Sequence, residues 1–91
     1  MQPMKFRKKP VVIEAVRWVA GVSGPSTEDV GRWCGSVYNA NRDVLIIPTL
    51  EGDHAASRGD WIIKGVAGEF YPCKDHVFQL SYEPAEEGDE S

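Results

Sequence analysis

The clearest pattern of apolar and polar positions runs from Gly59 to Tyr82. Trp61-Ile62-Ile63 is a run of aromatic and β-branched residues that follows a Gly-Asp turn pair, which predicts a strand. Gly65 to Gly68 has the length of a hairpin loop and places a glycine at each end. Glu69-Phe70-Tyr71 then begins the return strand. Pro72 has no amide donor, so we expect it to end that pairing or to lie at a sheet edge.

The following segment, Val77 to Tyr82, predicts another strand after a turn at Lys74-Asp75. Phe78, Leu80 and Tyr82 fall on one side of an extended chain and are expected to face the core. A slip of one residue would expose all three side chains, so the alternation also predicts the register.

Nearer the N-terminus, Val11 to Val19 predicts a strand with two mostly apolar faces. Such a strand is either central in its sheet or covered by a helix. Glu14 and Arg17 are its polar exceptions. Glu14 is either a rim residue paired with Arg17 or Lys64, or a buried functional carboxylate.

One helix is predicted over about residues 27–34. Ser26 or Thr27 can cap its N-terminus, and the acidic residues Glu28 and Asp29 in its first turn suit the helix dipole. Gly35 is a favourable stop signal. The apolar stripe of this helix consists of Val30, Trp33 and Cys34.

The middle of the chain gives weaker signals. Val44 to Ile47 predicts a strand, whereas Val37-Tyr38 and His54 to Ser57 are uncertain strands. Together the elements predict an α+β domain with about five short, mostly antiparallel strands and one short helix. The strands would form a small curved sheet or an SH3-like barrel.

Charge is segregated along the chain, although the formal net charge is only −4. Five of the 14 acidic residues follow Tyr82, whereas all 10 Lys and Arg residues precede it. The sequence therefore predicts a basic arm over residues 1–9, one globular domain over 10–82 and an acidic, disordered tail over 83–91. One short basic arm on a nearly neutral domain argues against binding of duplex nucleic acid, which needs a broad basic face.

The two cysteines, Cys34 and Cys73, allow at most one disulfide. The basic start of the chain is not followed by the apolar segment of a secretory signal, and no apolar run is long enough to cross a membrane. We therefore expect two free thiols, a cytoplasmic location and no membrane association.

Cys73-Lys74-Asp75-His76 comes closest to a catalytic site, with a thiolate favoured by the lysine and the histidine as its base. A packed thiol or one at a sheet edge is the preferred interpretation, because no glycine-rich turn or helix start is predicted next to this cysteine to supply an oxyanion site. A zinc site is also conceivable, but only one of its ligand pairs has a short spacing. We predict no enzyme activity, no metal and no cofactor. The candidate zinc ligands are Cys34, His54, Cys73 and His76.

Aromatic and basic residues surround the predicted hairpin. One face of the hairpin must be core, and the other could form a rim that binds a partner, because hot spots and nucleotide-stacking sites use these residue types. The alternative is that all the aromatic residues are core. The basic arm could add contacts to phosphates or to an acidic partner. The candidate binding residues are Trp61, Lys64, Tyr71 and Lys74 on the hairpin, and Arg7, Lys8 and Lys9 on the arm.

Three segments, KFRKKPVVIEAVRW, IPTLEG and GDWIIKGVAGEFYPCKDHVFQLSYE, resemble a family of small phage-encoded proteins, notably from phages of actinobacteria. The resemblance implies a source, a phage acting in the cytoplasm of a bacterial host, and no particular mechanism. Small phage accessory proteins usually act by binding. We therefore expect a non-enzymatic protein that binds and modulates a host protein.

The alternative function is sequestration of a small anionic or nucleotide signalling ligand. One domain of this size encloses little volume, so the pocket would lie at the interface of a homo-oligomer. The sequence leaves the oligomeric state open.

Overall fold

The computed structural model describes residues 2–5, 11–19 and 25–85. These residues form an α+β fold with six short strands and two short helices, which confirms the predicted class. In chain order the elements are β1 (Glu14–Arg17), α1 (Thr27–Cys34), β2 (Val37–Asn39), β3 (Val44–Thr49), β4 (Gly52–Ser57), β5 (Trp61–Lys64), β6 (Phe70–Cys73) and α2 (Asp75–Ser81).

The described strands form two antiparallel sheets of three strands each, in the orders β1-β5-β6 and β2-β3-β4. They stay open and do not close into the SH3-like barrel that the sequence offered as one alternative. The segments left uncertain, β2 and β4, both pair with β3. The predicted β5–β6 hairpin is confirmed, with Gly65 N donating to Glu69 O at 2.7 Å and Gly68 at φ 86°. Pro72 lies in β6, at a sheet edge, as its missing amide donor requires.

The core lies between the two sheets and α1. Trp18, which follows β1, is fully buried there, and its indole N–H donates to Thr27 Oγ1 at 3.0 Å. This bond satisfies the polar atom of a large buried ring and ties the start of α1 to β1. Burial of a large apolar side chain stabilises the fold by roughly 1.5–3 kcal/mol. The other buried members of this cluster are Val30, Cys34, Leu45, Ile47, Ala56 and Ile62.

Helix α1 has the predicted bounds because both of its ends are encoded locally. Ser26 Oγ accepts a hydrogen bond from the Asp29 amide at 3.1 Å and caps the N-terminus. Gly35 adopts a left-handed φ of 69°, and its amide donates to Gly31 O. The predicted apolar stripe docks on the core through buried Val30.

Strand β1 is shorter than the predicted strand over Val11 to Val19. Among the described strands it lies at a sheet edge, so the prediction that it could be a central strand is wrong. It pairs only with β5, from Glu14 opposite Lys64 to Arg17 opposite Trp61, and four-residue β5 offers no further partners. Glu14 is exposed, and its carboxylate lies 3.9 Å from Lys64 Nζ. Glu14 is therefore a rim residue and not a buried carboxylate.

The predicted strand over Val77 to Tyr82 is wrong, because residues Asp75–Ser81 form helix α2. Phe78 and Tyr82 are four residues apart, so extended and helical conformations both place them on one side. Leu80 distinguishes the two conformations. In a strand, Leu80 would face the core together with Phe78 and Tyr82. In the helix, Leu80 is 87% exposed.

The acidic end of the chain is described only in part. Residues 83–85 are exposed, and residues 86–91 of the predicted tail lie outside the described residues.

Candidate functional site

Helix α2 covers the face of sheet β1-β5-β6 that points away from the core. The β5–β6 register opposes Trp61 to Cys73 and Ile63 to Tyr71, so these four side chains share that face. Phe78 of α2 stacks on Trp61, with ring centroids 4.0 Å apart and ring planes 6° apart. Contact between rings therefore holds α2 on the sheet.

A second ring extends this contact. Tyr82 lies 5.0 Å from Phe78, with the ring planes inclined by 27°, and its hydroxyl is 3.5 Å from the Tyr71 hydroxyl. The hydrogen bond to Tyr82, together with burial, raises the pKa of Tyr71 to about 12. Tyr71 is therefore a neutral phenol at physiological pH. We call Trp61, Tyr71, Phe78 and Tyr82 the aromatic stack.

Asp75 fastens the first turn of α2 to the same sheet. Its carboxylate accepts hydrogen bonds from Trp61 Nε1 at 2.9 Å and from Gln79 Nε2 at 3.3 Å. Arg17 Nη2 on β1 lies 3.4 Å from the second carboxylate oxygen. These groups favour the charged form and lower the pKa of Asp75, with the Trp61 hydrogen bond contributing most. The helix is thus held by polar contacts at its first turn as well as by the aromatic stack.

Asp60 is a buried acid beside this end of the sheet, with 4% of its surface exposed. Its carboxylate accepts from the Ser57 amide at 2.8 Å and from Lys74 Nζ at 3.1 Å. A buried carboxylate requires such partners because its desolvation is costly. Lys74, immediately before α2, therefore has a structural role in pairing with Asp60.

The structure brings some of the predicted binding residues together and separates others. Trp61 and Lys74 both lie at the start of α2, where the indole donates to Asp75 and the ammonium pairs with Asp60. Tyr71 instead contacts Tyr82 at the other end of the helix. Lys64 lies at the opposite end of β5. Arg7, Lys8 and Lys9 fall outside the described residues.

The outer side of α2 carries two apolar residues, of which sequence reasoning assigned Leu80 to the core and placed Val77 outward. Val77 is 43% exposed and Leu80 is 87% exposed. At 100° per residue, these two positions lie on the side of the helix opposite Phe78 and Tyr82. The local signal for a helix was Asp75, an acidic residue in the first turn that suits the helix dipole.

A helix start does follow Cys73, contrary to the sequence interpretation, because α2 begins at Asp75. The thiol nevertheless does not have the environment of a nucleophile. Burial raises its pKa, and the negative charge of Asp60 raises it further. The cysteine is consequently a thiol at neutral pH, whereas a nucleophilic cysteine needs a lowered pKa. Both cysteines are free, as predicted. Within the described residues, no three His, Cys, Asp or Glu side chains lie close enough together to hold a metal ion, and this includes the four residues considered as zinc ligands.

A second polar cluster surrounds Arg58, in the turn between β4 and β5. The guanidinium of Arg58 is 4.5 Å from the centre of the Trp18 ring, and its Nε lies 3.1 Å from Asp43 Oδ2. The Tyr38 hydroxyl donates to Asp43 Oδ1 at 2.6 Å. This bond, followed by the one from Arg58, lowers the pKa of Asp43.

Between α1 and β2, next to this cluster, is an open cleft of about 520 Å³. Its polar side chains already bond within the protein: Thr27 accepts from Trp18, Ser36 accepts from Cys34 Sγ, and Arg32 pairs with Glu28 and Asp29. The cleft therefore presents no converging set of free polar groups for a small ligand.

Neither helix in the described part of the chain has the length and apolar content of a membrane-crossing segment. Comparison of the chain with known protein families, with curated proteins and with solved structures gives no match.

Proposed function

We propose that this chain is a phage-encoded, non-enzymatic protein that binds a protein in the cytoplasm of its bacterial host and modulates it. The phage source rests on the resemblance of the segments around Lys5–Trp18 and Gly59–Glu83 to small phage proteins. The binding role rests on one structural observation, the exposed apolar side chains on the outer face of α2.

This face is presented by a helix that is held in place. The aromatic stack and the three partners of Asp75 fix α2 on the sheet, so binding there requires little ordering of the helix. Full burial of a leucine side chain contributes roughly 1.5–3 kcal/mol. Leu80 is placed to supply such a contribution to a partner, because it makes almost none to its own fold.

Sequestration of a small anionic or nucleotide ligand receives less support. Lys74 and Lys64 each lie within 4.0 Å of a carboxylate, and Trp61 stacks on Phe78. An anion or a base that used these groups would have to displace a contact that the protein already makes. Binding of such a ligand would therefore first cost the stability that these internal contacts provide.

Affinity capture tests the proposed function. The full chain, immobilised and incubated with an actinobacterial lysate, is expected to retain one dominant host protein through stringent washes. Repeated capture of nothing above the bare-resin control would contradict the proposal. Thermal-shift measurements with nucleotides test the alternative function, sequestration of a small ligand. A nucleotide that binds, at 100 times its dissociation constant, would add about 2.7 kcal/mol to the free energy of unfolding.

A further inference from the structure

We infer that the partner receives the outer face of α2 in an apolar recess bordered by lysine and arginine side chains. This inference rests on the proposed function and names the chemistry of the partner surface. It follows from two independent features of the same segment, its exposed apolar side chains and its excess of acidic over basic residues.

The apolar feature is local and directional. Leu80 and Val77 lie three residues apart on one side of α2, which is the spacing at which helical side chains are neighbours. Phe78 and Tyr82 hold the opposite side against the sheet. The pair therefore projects away from the fold, in the manner of anchors that enter a groove on another protein.

The electrostatic feature lies in the sequence of the same segment. Residues 75–91 contain six of the 14 Asp and Glu residues and none of the 10 Lys and Arg residues. The last turn of α2 has no basic residue, and Glu83 follows the helix closely. Negative charge at a helix C-terminus opposes the helix dipole, which favours a cation there.

Only part of this charge is offset among the described residues, through the contact between Asp75 and Arg17. The salt bridges of the described residues involve Asp75 but not Glu83, which is exposed. A segment that breaks a local charge rule without full compensation inside the fold is a candidate for compensation by a partner. Cations from the partner, placed next to the recess for Leu80, would complement both the acidic segment and the helix end.

A second copy of the chain fits this face poorly. A symmetric contact through the end of α2 would bring Glu83 of both copies together, where like charges repel. The favoured occupant is therefore a different protein with a basic rim.

The experiment compares three variants in the capture assay with the actinobacterial lysate. Leu80→Ser removes the apolar anchor, and Glu83→Lys reverses the first charge after α2. Leu50→Ser is the matched control, because Leu50 is also an exposed leucine but lies in the β3–β4 turn. All three positions are exposed, so thermal unfolding is expected to match the wild type and to show that each variant is folded.

We expect Leu80→Ser and Glu83→Lys each to lower the amount of retained partner about tenfold, as for residues at an interface centre. Leu50→Ser should stay within about twofold of the wild type. Raising the salt concentration should weaken capture by the wild type but have less effect on capture by Glu83→Lys. Zero-length carbodiimide coupling should join Glu83 to a lysine of the partner.

Three results would overturn the inference. Leu80→Ser could retain the partner as well as Leu50→Ser does, the coupled lysine could belong to a second copy of this chain, or it could belong to the chain's own basic arm. The first result would still leave a captured partner, so the proposed function would stand. Failure of the wild-type chain to retain any protein would instead contradict the proposed function itself.

Discussion

The indole of Trp61 on β5 lies nearly parallel to the ring of Phe78 on α2, with the ring planes 6° apart. The same indole donates its N–H to Asp75 in the first turn of that helix. One side chain therefore contacts α2 through both its apolar face and its polar edge. This explains how a helix of seven residues, too short to be stable alone, keeps a fixed position.

Removal of the Phe78 ring should destabilise the protein. Because the ring is half-buried and stacks on two aromatic neighbours, we expect Phe78→Ala to lower the free energy of unfolding by about 2 kcal/mol. Leu80→Ala on the same helix is the control and should change it by less than about 0.5 kcal/mol. Urea unfolding of both variants measures the difference. Equal effects would mean that α2 does not pack on the sheet through its aromatic side.

Acid should weaken the attachment of α2 through Asp75. The pKa of Asp75 in the folded protein lies below its ordinary value of 3.8. Its contribution to stability is therefore fully present above about that pH and is lost as the pH falls through the lower folded value. Asp75→Asn cannot ionise, so we expect its melting temperature to fall less than that of the wild type between about pH 5 and about pH 2.

Asp53→Asn serves as the control for this effect, because Asp53 is an exposed acid on β4. It should reproduce the acid-induced decrease of the wild type. A steeper decrease for Asp75→Asn than for the wild type would show that the Asp75 charge does not stabilise the folded state.

Alkaline titration should distinguish Tyr71 from the other two tyrosines. Its pKa is raised from an ordinary value of 10.0 to about 12. The corresponding stability is present below pH 10 and is lost as the pH rises through about 12, because the unfolded chain releases this proton more easily. Ultraviolet absorbance of phenolate should show one late step near pH 12, and Tyr71→Phe should abolish it. If the late step persists in Tyr71→Phe, another tyrosine is responsible.

Substitutions of Lys74 and Lys64 should differ in their effect on the free energy of unfolding. Lys74 lies 3.1 Å from the carboxylate of buried Asp60, whereas Lys64 lies 3.9 Å from exposed Glu14. We expect Lys74→Met to lower the free energy of unfolding by about 1 kcal/mol, a modest value because the lysine itself is half-exposed. Lys64→Met should remain within about 0.5 kcal/mol of the wild type. Chemical unfolding of both variants tests this ranking, which would be refuted by a larger loss for Lys64→Met.

The thiol of Cys73 should alkylate slowly. Burial and the nearby Asp60 raise its pKa, so the thiolate fraction at neutral pH is below that of an ordinary cysteine. Iodoacetamide should therefore modify Cys73 more slowly than a small-molecule thiol at the same pH. The rate of modification of Cys73 should increase as the pH is raised above neutral. Mass spectrometry separates Cys73 from Cys34, which is buried and should react only after unfolding. Modification faster than that of the reference thiol would favour the rejected catalytic role.

Sequence alone determined the elements whose signals are local. The cap at Ser26 fixes the first residue of α1, and Gly35 fixes its last. The glycine-bounded loop after Lys64 fixes the β5–β6 hairpin. Each of these depends on backbone conformations and hydrogen bonds that span four residues or fewer, so neighbouring residues suffice to predict them.

Tertiary structure decided α2 and, with it, the candidate site. Phe78 and Tyr82 satisfy both a strand and a helix, and contacts across the fold, above all with the indole of Trp61 on β5, favour the helix. The same choice turned Leu80 from a core residue into an exposed one and paired Lys74 with a buried acid. These outcomes depend on contacts between residues that the fold brings together, and side-chain alternation along one segment contains no information about such contacts.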